Sequence, residues 1–577
     1  MTTKTRLLGQ AGLCALAAFA FAANAEAKPM KHARHARHAA AAKTSAETAA
    51  LQDQVKALEA QVATLQSWHD QETSHTAQVD QQVSDLRGQL ADAQAKAQAA
   101  SVAMNEQIQT LPGVVKTEIA AEKPKDGKAH YKGVALTVGG FLAAESVYRS
   151  KNEQADIGSS FTKIPFANSP LSHTSELRGT ARQSRLSLLA EGDINPDTHA
   201  AFYSEMDFLA GPQTANSNES NSFSPRIRNV YGTLDLDGYH LHVLAGQNWS
   251  LATMNTKGIT PRNELPPPTI DAQYVVGFTW ARQPQIRLTG DFADKQLWAA
   301  VSLENPQTTF AGAATGTTGT SIPGLTVTDN GAPTSQFDSA NTLSTNHVPD
   351  VIAKLAYEPN LFGGRPLHLE AYGLYRSFDD RVNVTSATNL LGLPVGASNK
   401  TSDGGGFGWG ATWTVVPKLV DLEASGLIGR GIGRYGSGQL PDTVVGPDGV
   451  LKPIRETMLM GGGTLHATPS LDLYVFGGEE RERADWSHIG TGVYGFGAPT
   501  ATLAGCLVEG GTCSPDVRLM TQITGGLWDK IYQGSFGSVR IGLQYSHTEL
   551  TAFAGATGGS PKTSDDMVFT SFRYYPF

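Results

Sequence analysis

From residue 133 to the end, apolar and polar positions alternate along the chain in short segments. Val539, Ile541, Leu543 and Tyr545 share one face, against Ser538, Arg540, Gln544 and Ser546 on the other. Leu186, Leu188, Ala190 and Ile194 oppose Arg185, Ser187, Glu191 and Asp193, and Phe202, Met206 and Phe208 oppose Tyr203, Glu205 and Asp207. Leu297, Ala299, Val301 and Leu303 oppose Trp298, Ser302 and Glu304, while Leu367, Leu369, Ala371, Gly373 and Tyr375 oppose His368, Glu370, Tyr372 and Arg376. A period of two is the mark of a strand with one face buried or in lipid. The charged faces suit a wet lumen. Connections are alternately short, as at Asn195-Pro196-Asp197, and long, as at 306–348, 379–402, 436–453 and 484–516. Because lipid tolerates no open sheet edge, this pattern predicts an all-β, transmembrane antiparallel barrel over 133–577. At roughly 25–30 residues per strand, loops included, about 16 strands should surround an aqueous channel.

Residues 45–111 follow another rhythm. Leu51, Val55, Leu58, Val62 and Leu65, then His69, Glu72 and Thr76, then Val79, Val83, Leu86, Leu90, Ala93 and Ala97 are spaced alternately by four and three. Unbroken heptads predict an α-helical coiled coil, and Val at a with Leu at d favours a dimer by rule. Leu111-Pro112-Gly113 is a natural stop, and 112–132 reads as a linker. Ahead of the coil, residues 26–44 form a basic Ala/His/Arg linker in which His32, His35 and His38 fall every third residue. A metal-binding tract is the alternative to a solvated linker touching lipopolysaccharide or peptidoglycan by charge. Residues 1–25 carry Lys4 and Arg6, an apolar stretch and Ala23-Asn24-Ala25, the layout of a secretory signal peptide. Cys14 lies inside its apolar core and leaves with it.

The 45 basic and 54 acidic residues, a net −9, give no nucleic-acid footprint. No nucleophile elbow, HExxH or phosphate loop occurs, and His368 and His547 have no serine partner by spacing, so neither catalytic residues nor a cofactor are expected. Cys506 and Cys513, the two cysteines left after the signal, are expected to pair as a disulfide in an exported chain. With no histidine near them, they do not make a zinc site.

Six segments carry a family resemblance: Ala181-Arg182-Gln183-Ser184-Arg185-Leu186, Arg226-Ile227-Arg228-Asn229-Val230-Tyr231-Gly232, Ala245-Gly246-Gln247-Asn248-Trp249-Ser250, Arg282-Gln283-Pro284-Gln285-Ile286-Arg287, Leu303-Glu304-Asn305-Pro306 and Gly429-Arg430-Gly431-Ile432-Gly433-Arg434-Tyr435. In their order, and with the coil ahead of them, they resemble the DcaP-like trimeric porins of the bacterial outer membrane. The resemblance implies a coiled coil joined to a 16-stranded barrel, a homotrimer rather than a dimer, and uptake of small, often negatively charged compounds such as dicarboxylic acids. The terminal Phe577, with Tyr575 before it, resembles the signal read by the barrel-insertion machinery, although Arg573 and Pro576 depart from it.

Residues 133–577 hold 30 basic and 41 acidic side chains, and 20 of the 30 are Arg. Arg185, Arg287, Arg376 and Arg540 have lumen parity, as do Glu205, Asp207, Glu304 and Glu370; these are the candidate pore-lining residues. Arginines facing acids across a narrow lumen would set up a transverse field and offer bidentate contact to carboxylates. Ordinary wall salt bridges are the other reading of the same residues. A porin giving passive diffusion of small hydrophilic solutes follows, with a structural envelope tether as the alternative: barrel as anchor, coil as periplasmic spacer reaching toward peptidoglycan.

Overall fold

The computed structural model describes residues 128–577, apart from 212–217, 219, 312–323, 332–342, 362–364, 390–391 and 491, together with scattered positions between 56 and 99. Two compact units divide the chain, Met1–Glu122 and Lys123–Phe577. In the first, every described position, from Lys56 to Ala99, is helical and exposed. The signal peptide, the basic linker and the pairing of the coil lie outside the described residues.

The second unit is a closed antiparallel barrel of sixteen strands: β1 (Val134–Arg149), β2 (Glu176–Thr180, resumed as Arg185–Asn195), β3 (Thr198–Asp207), β4 (Arg226–Leu236), β5 (Leu241–Trp249), β6 (Arg282–Phe292), β7 (Leu297–Glu304), β8 (Asp350–Tyr357), β9 (Arg365–Val384), β10 (Gly396–Val416), β11 (Val420–Arg430), β12 (Arg455–His466), β13 (Leu471–Glu482), β14 (Val517–Gly534), β15 (Gly537–Ala552) and β16 (Lys562–Tyr575). Each pairs with its sequence neighbours, and β16 closes on β1 with Leu142 opposite Tyr574 and Arg149 opposite Met567. Closure leaves no edge to be satisfied by lipid.

Period-two alternation holds on the outer wall. Ile541, Leu543 and Tyr545 on β15 point outward and are exposed, with Phe407 and Trp409 on β10 and Val475 on β13. One end of the barrel has short turns, such as Pro196-Asp197 and 417–419. The other carries eight connections, L1 to L8: 150–175, 208–225, 250–281, 305–349, 385–395, 431–454, 483–516 and 553–561.

Two expectations change. The stretch 379–402 is mostly strand, since β9 runs to Val384 and β10 starts at Gly396. L3, at 250–281, was not among the long loops anticipated, because its Leu, Val, Ile and Phe residues do not read as a loop; it lies inside the barrel. Ile270, Val275, Val276 and Phe278 of L3 pack with Ile157, Phe161 and Ile164 of L1, Leu440 of L6 and the inward faces of β12 to β16 (Met460, Tyr474, Phe476, Met520, Leu550, Met567, Phe569). Part of the interior is therefore a dry core and not lumen, and in those strands both faces are apolar.

Candidate functional site

L3 leaves β5 after Trp249 and crosses the barrel, and its amides are received by inward-facing side chains of the wall. Leu251 N–H donates to Glu304 (2.8 Å), Asn255 N–H to Glu370 (3.2 Å) and Gly258 N–H to Glu358 (2.5 Å) on the β7–β9 side. Past Pro266-Pro267-Pro268 it reaches the opposite wall. There Ile270 N–H donates to Gln544 (2.5 Å), Val276 N–H to Gln522 (3.1 Å) and Gly277 N–H to Glu480 (2.8 Å). Gln183, in the break of β2, donates to the Ile270 carbonyl at 2.6 Å, and Trp528 to that of Pro268 at 2.8 Å. A loop buried in a barrel must satisfy its backbone polar groups, and here carboxylates and amides on the strands do so.

Below L3, toward the short turns, lies a cavity of about 940 Å³. Residues 265–269 and Tyr274 of L3 form part of its lining, and Asp294, Lys295, Gln296 and Glu358 from the short turns another part. Arg185 (β2), Arg228 (β4), Arg540 (β15) and Arg573 (β16) line it from one sector of the barrel. Asp421 and Glu423 (β11), His466 (β12) and Asp472 (β13) line it from a second sector, in which β11 and β12 stand across the barrel from β3 and β4 while β13 is two strands from β15; His466 bridges Asp421 (3.0 Å) and Asp472 (2.6 Å). The positive sector is built on aromatic faces. Arg185 lies 5.3 Å from the Phe141 ring and Arg540 5.2 Å from that of Tyr575, while Arg573 contacts Trp528 at 4.6 Å. Arg282 sits 4.0 Å from Trp249, and its guanidinium donates to the Tyr274 hydroxyl at 2.9 Å. Arg573 is held by Glu145 (2.8 Å), and Arg228 by Glu205 and Asp207 (2.5 and 2.9 Å). Glu205, bonded to Arg228, also attracts Arg185 by charge; neither Arg185 nor Arg540 makes a direct ion pair among the described residues, and Nε of each lacks a hydrogen-bond partner. Burial raises the Tyr274 phenol, but Arg282, Arg228 and Arg185 outweigh that and bring it below the usual tyrosine range.

The eight candidates divide accordingly. Arg185 and Arg540 line the cavity; Arg287 and Arg376 do not. Arg287 is buried and donates to the Trp249 carbonyl at 2.6 Å, fixing the start of L3. Arg376 is wholly buried between Asp350 (3.1 Å) and Asp442 (2.7 Å), and also donates to the carbonyls of Gly431 and Gln307. It clamps L4 and L6. Glu304 and Glu370 receive L3, and Glu370 also accepts from Lys354 (2.9 Å) and contacts His368 (3.0 Å). Glu205 and Asp207 neutralise Arg226 and Arg228. Parity identified the face of each residue, while its depth and its partners were set by loops.

Residue reasoning missed Arg228, Arg282 and Arg573. The first two stood in the quoted Arg226-Ile227-Arg228 and Arg282-Gln283 segments. The third, which stands where the terminal signal calls for an apolar residue, lines the cavity from β16. Cys506 and Cys513 are bonded to each other in L7, as expected.

By sequence, the chain matches no protein-family model and no curated protein. Its structure is similar to the outer-membrane channel DcaP of Acinetobacter baumannii, at 18% identity and a TM-score of 0.52, covering 77% of this chain and 98% of that one. OmpT of Vibrio cholerae (11% identity, TM-score 0.39, 78% and 99% covered) and an anion-selective porin from Comamonas acidovorans (12%, 0.40, 77% and 99%) are more distant. The fold is thus that of a porin-like sixteen-stranded barrel, and the likeness to DcaP holds at the level of the fold.

Proposed function

We propose that this chain is a bacterial outer-membrane porin for passive diffusion of small hydrophilic solutes, favouring small anions and carboxylates. The observation that carries the reading is the cluster of four guanidiniums on one side of the cavity under L3: Arg185 and Arg540, neither in a direct ion pair among the described residues, beside Arg228 and Arg573. The barrel residues total −11, yet the field in a narrow lumen is focused by low-dielectric walls. Charges on distant loops lie beyond a Debye length of about 8 Å at physiological salt and are screened. A carboxylate entering the cavity meets forked donors already oriented by stacking on Phe141 and Tyr575, so little order is lost on contact. Asp421, on β11 across the barrel from the strands of Arg185 and Arg228, would help orient a polar solute across the lumen. In this reading the protein is a homotrimer, inserted by the barrel-assembly machinery, with the short turns and the coil in the periplasm.

Planar-bilayer recordings test it. Wild-type protein should conduct and give a reversal potential on the anion side in a salt gradient. Arg185→Ala and Arg540→Ala should each move it toward cations. Cation preference in the wild type, unmoved by either change, refutes anion selection; absence of conductance favours the tether.

A further inference from the structure

The outer wall carries a charge pattern that the pore does not use. On three adjacent strands, at the loop end, Arg430, Arg455 and Arg483 stand side by side. Arg430 is directly opposite Arg455 in the β11–β12 ladder, and the Arg483 amide donates to the Arg455 carbonyl at 2.9 Å. All three are exposed and share the outward face, since Ile428 two residues before Arg430 is exposed to the outside while Glu456 and Glu482 are buried inside. Arg481 lies one pleat below, opposite Thr457.

Like charges directly opposite one another on a sheet are destabilising. None of the three has an ion-pair partner among the described residues. The nearby outward carboxylates are otherwise engaged: Glu479 lies 3.4 Å from Arg481, and Asp403 accepts the Tyr375 hydroxyl at 2.8 Å. An anion from outside the chain would relieve that repulsion. Beneath it, in the same sector, an open groove of about 490 Å³ runs down the wall, bordered by Trp409, Leu459 and Glu479 and floored by Gly461 and Gly477. Leu459 is four residues below Arg455, about 13 Å along the strand. Cationic forks at the loop end, with an apolar slot about 13 Å below them along the wall, match a phosphorylated lipid, whose charge and tail lie in that order.

We propose that Arg430, Arg455 and Arg483 bind the phosphates of an outer-leaflet phosphorylated glycolipid, with one acyl chain seated in the groove beside Trp409 and Leu459. Bidentate arginine–phosphate contacts hold the headgroup, and binding relieves the repulsion within the row. The site rests on the outer-membrane placement proposed above, but not on the selectivity of the pore.

Native mass spectrometry of the full chain in detergent, titrated with bisphosphorylated lipid A, tests the site. Wild-type protein should retain lipid A, and the R430Q/R455Q/R483Q variant should bind at least tenfold more weakly at unchanged single-channel conductance, which reports an intact barrel. Arg381→Gln, at an exposed arginine outside the row, should bind as the wild type does. Trp409→Ala should weaken lipid A while leaving the affinity for inorganic phosphate as it was. Equal binding by the triple variant overturns the proposal, as does displacement of lipid A by equimolar inorganic phosphate, which would mark a site for free anions. Cell fractionation reports the membrane placement separately, so failure of the site and failure of the placement are distinguishable.

Discussion

Replacing Arg376 by Met separates a structural clamp from a pore residue. The guanidinium is wholly buried, spans Asp350 and Asp442, and also holds two loop carbonyls. Met keeps most of the volume and removes the charge. Asp350 retains Arg434 at 2.7 Å and the Tyr435 hydroxyl at 2.8 Å, so its loss is partly covered. Asp442 retains the Arg434 amide (3.0 Å) and the Thr309 amide (2.9 Å), but no side-chain cation. Removing one partner of a buried ion pair costs about 3–5 kcal/mol; with these remaining donors the lower end applies, about 3 kcal/mol. Since L6 can detach while the barrel stays closed, the cost should fall on local opening, and protection of L6 amides should drop by about a hundredfold. Hydrogen exchange of Tyr435 and Gly436, whose amides donate to the Ile432 and Gly433 carbonyls, reads this directly. Adding Asp442→Asn should recover part of the loss, because the stranded charge is then gone. Unchanged L6 protection together with a shifted reversal potential would refute the clamp and return Arg376 to the lumen.

Reducing the Cys506–Cys513 bridge should loosen L7 by at most about 2–3 kcal/mol on the chain-entropy model and leave conductance unchanged; free thiols in unreduced peptides from the native protein would contradict the pairing. The lowered Tyr274 phenol should ionise before an ordinary tyrosine. Anion preference should then fall as pH rises toward the usual tyrosine range, and a Tyr274→Phe variant that still shows the fall would refute the assignment. In L1, burial raises the Glu153 carboxyl to about 7, against the pull of Arg149. A folded value above the unfolded one means the folded loop binds more protons, so L1 packing should weaken as pH rises from about 4.5 to 7. Glu153→Gln should flatten that dependence in hydrogen exchange, and an unchanged slope would assign it to another group.

How far residues alone carried the reading depends on where the partners lie. β15 was legible because Ile541, Leu543 and Tyr545 need only lipid to explain them, and lipid is uniform. β12 to β14 were harder: Met458, Met460, Phe476 and Met520 point inward and are apolar too, so the alternation blurs. The break of β2 at 181–184 places Gln183 under Ile270, a contact spanning 87 positions that no local period can encode. The same limit governs the site. Arg185 and Arg376 share parity and chemistry, yet one faces water and the other is sealed by L4 and L6. Loop packing decides which arginines line the cavity, and that packing is long-range.

The way L3 is held also orders the assembly of the molecule. Its amides at 251–277 bond to acceptors as far along the chain as Gln544, 274 residues from Ile270. Contacts of such separation form late, after loop-closure entropy has been met by other pairings. The wall that receives L3 on the far side is not complete until β13 to β15 have joined, so the crossing cannot template the barrel and must seat itself into a nearly closed cylinder. Were L3 to seat in that order, the lumen would be wider before its docking than in the finished protein, and docking would be the step that narrows it.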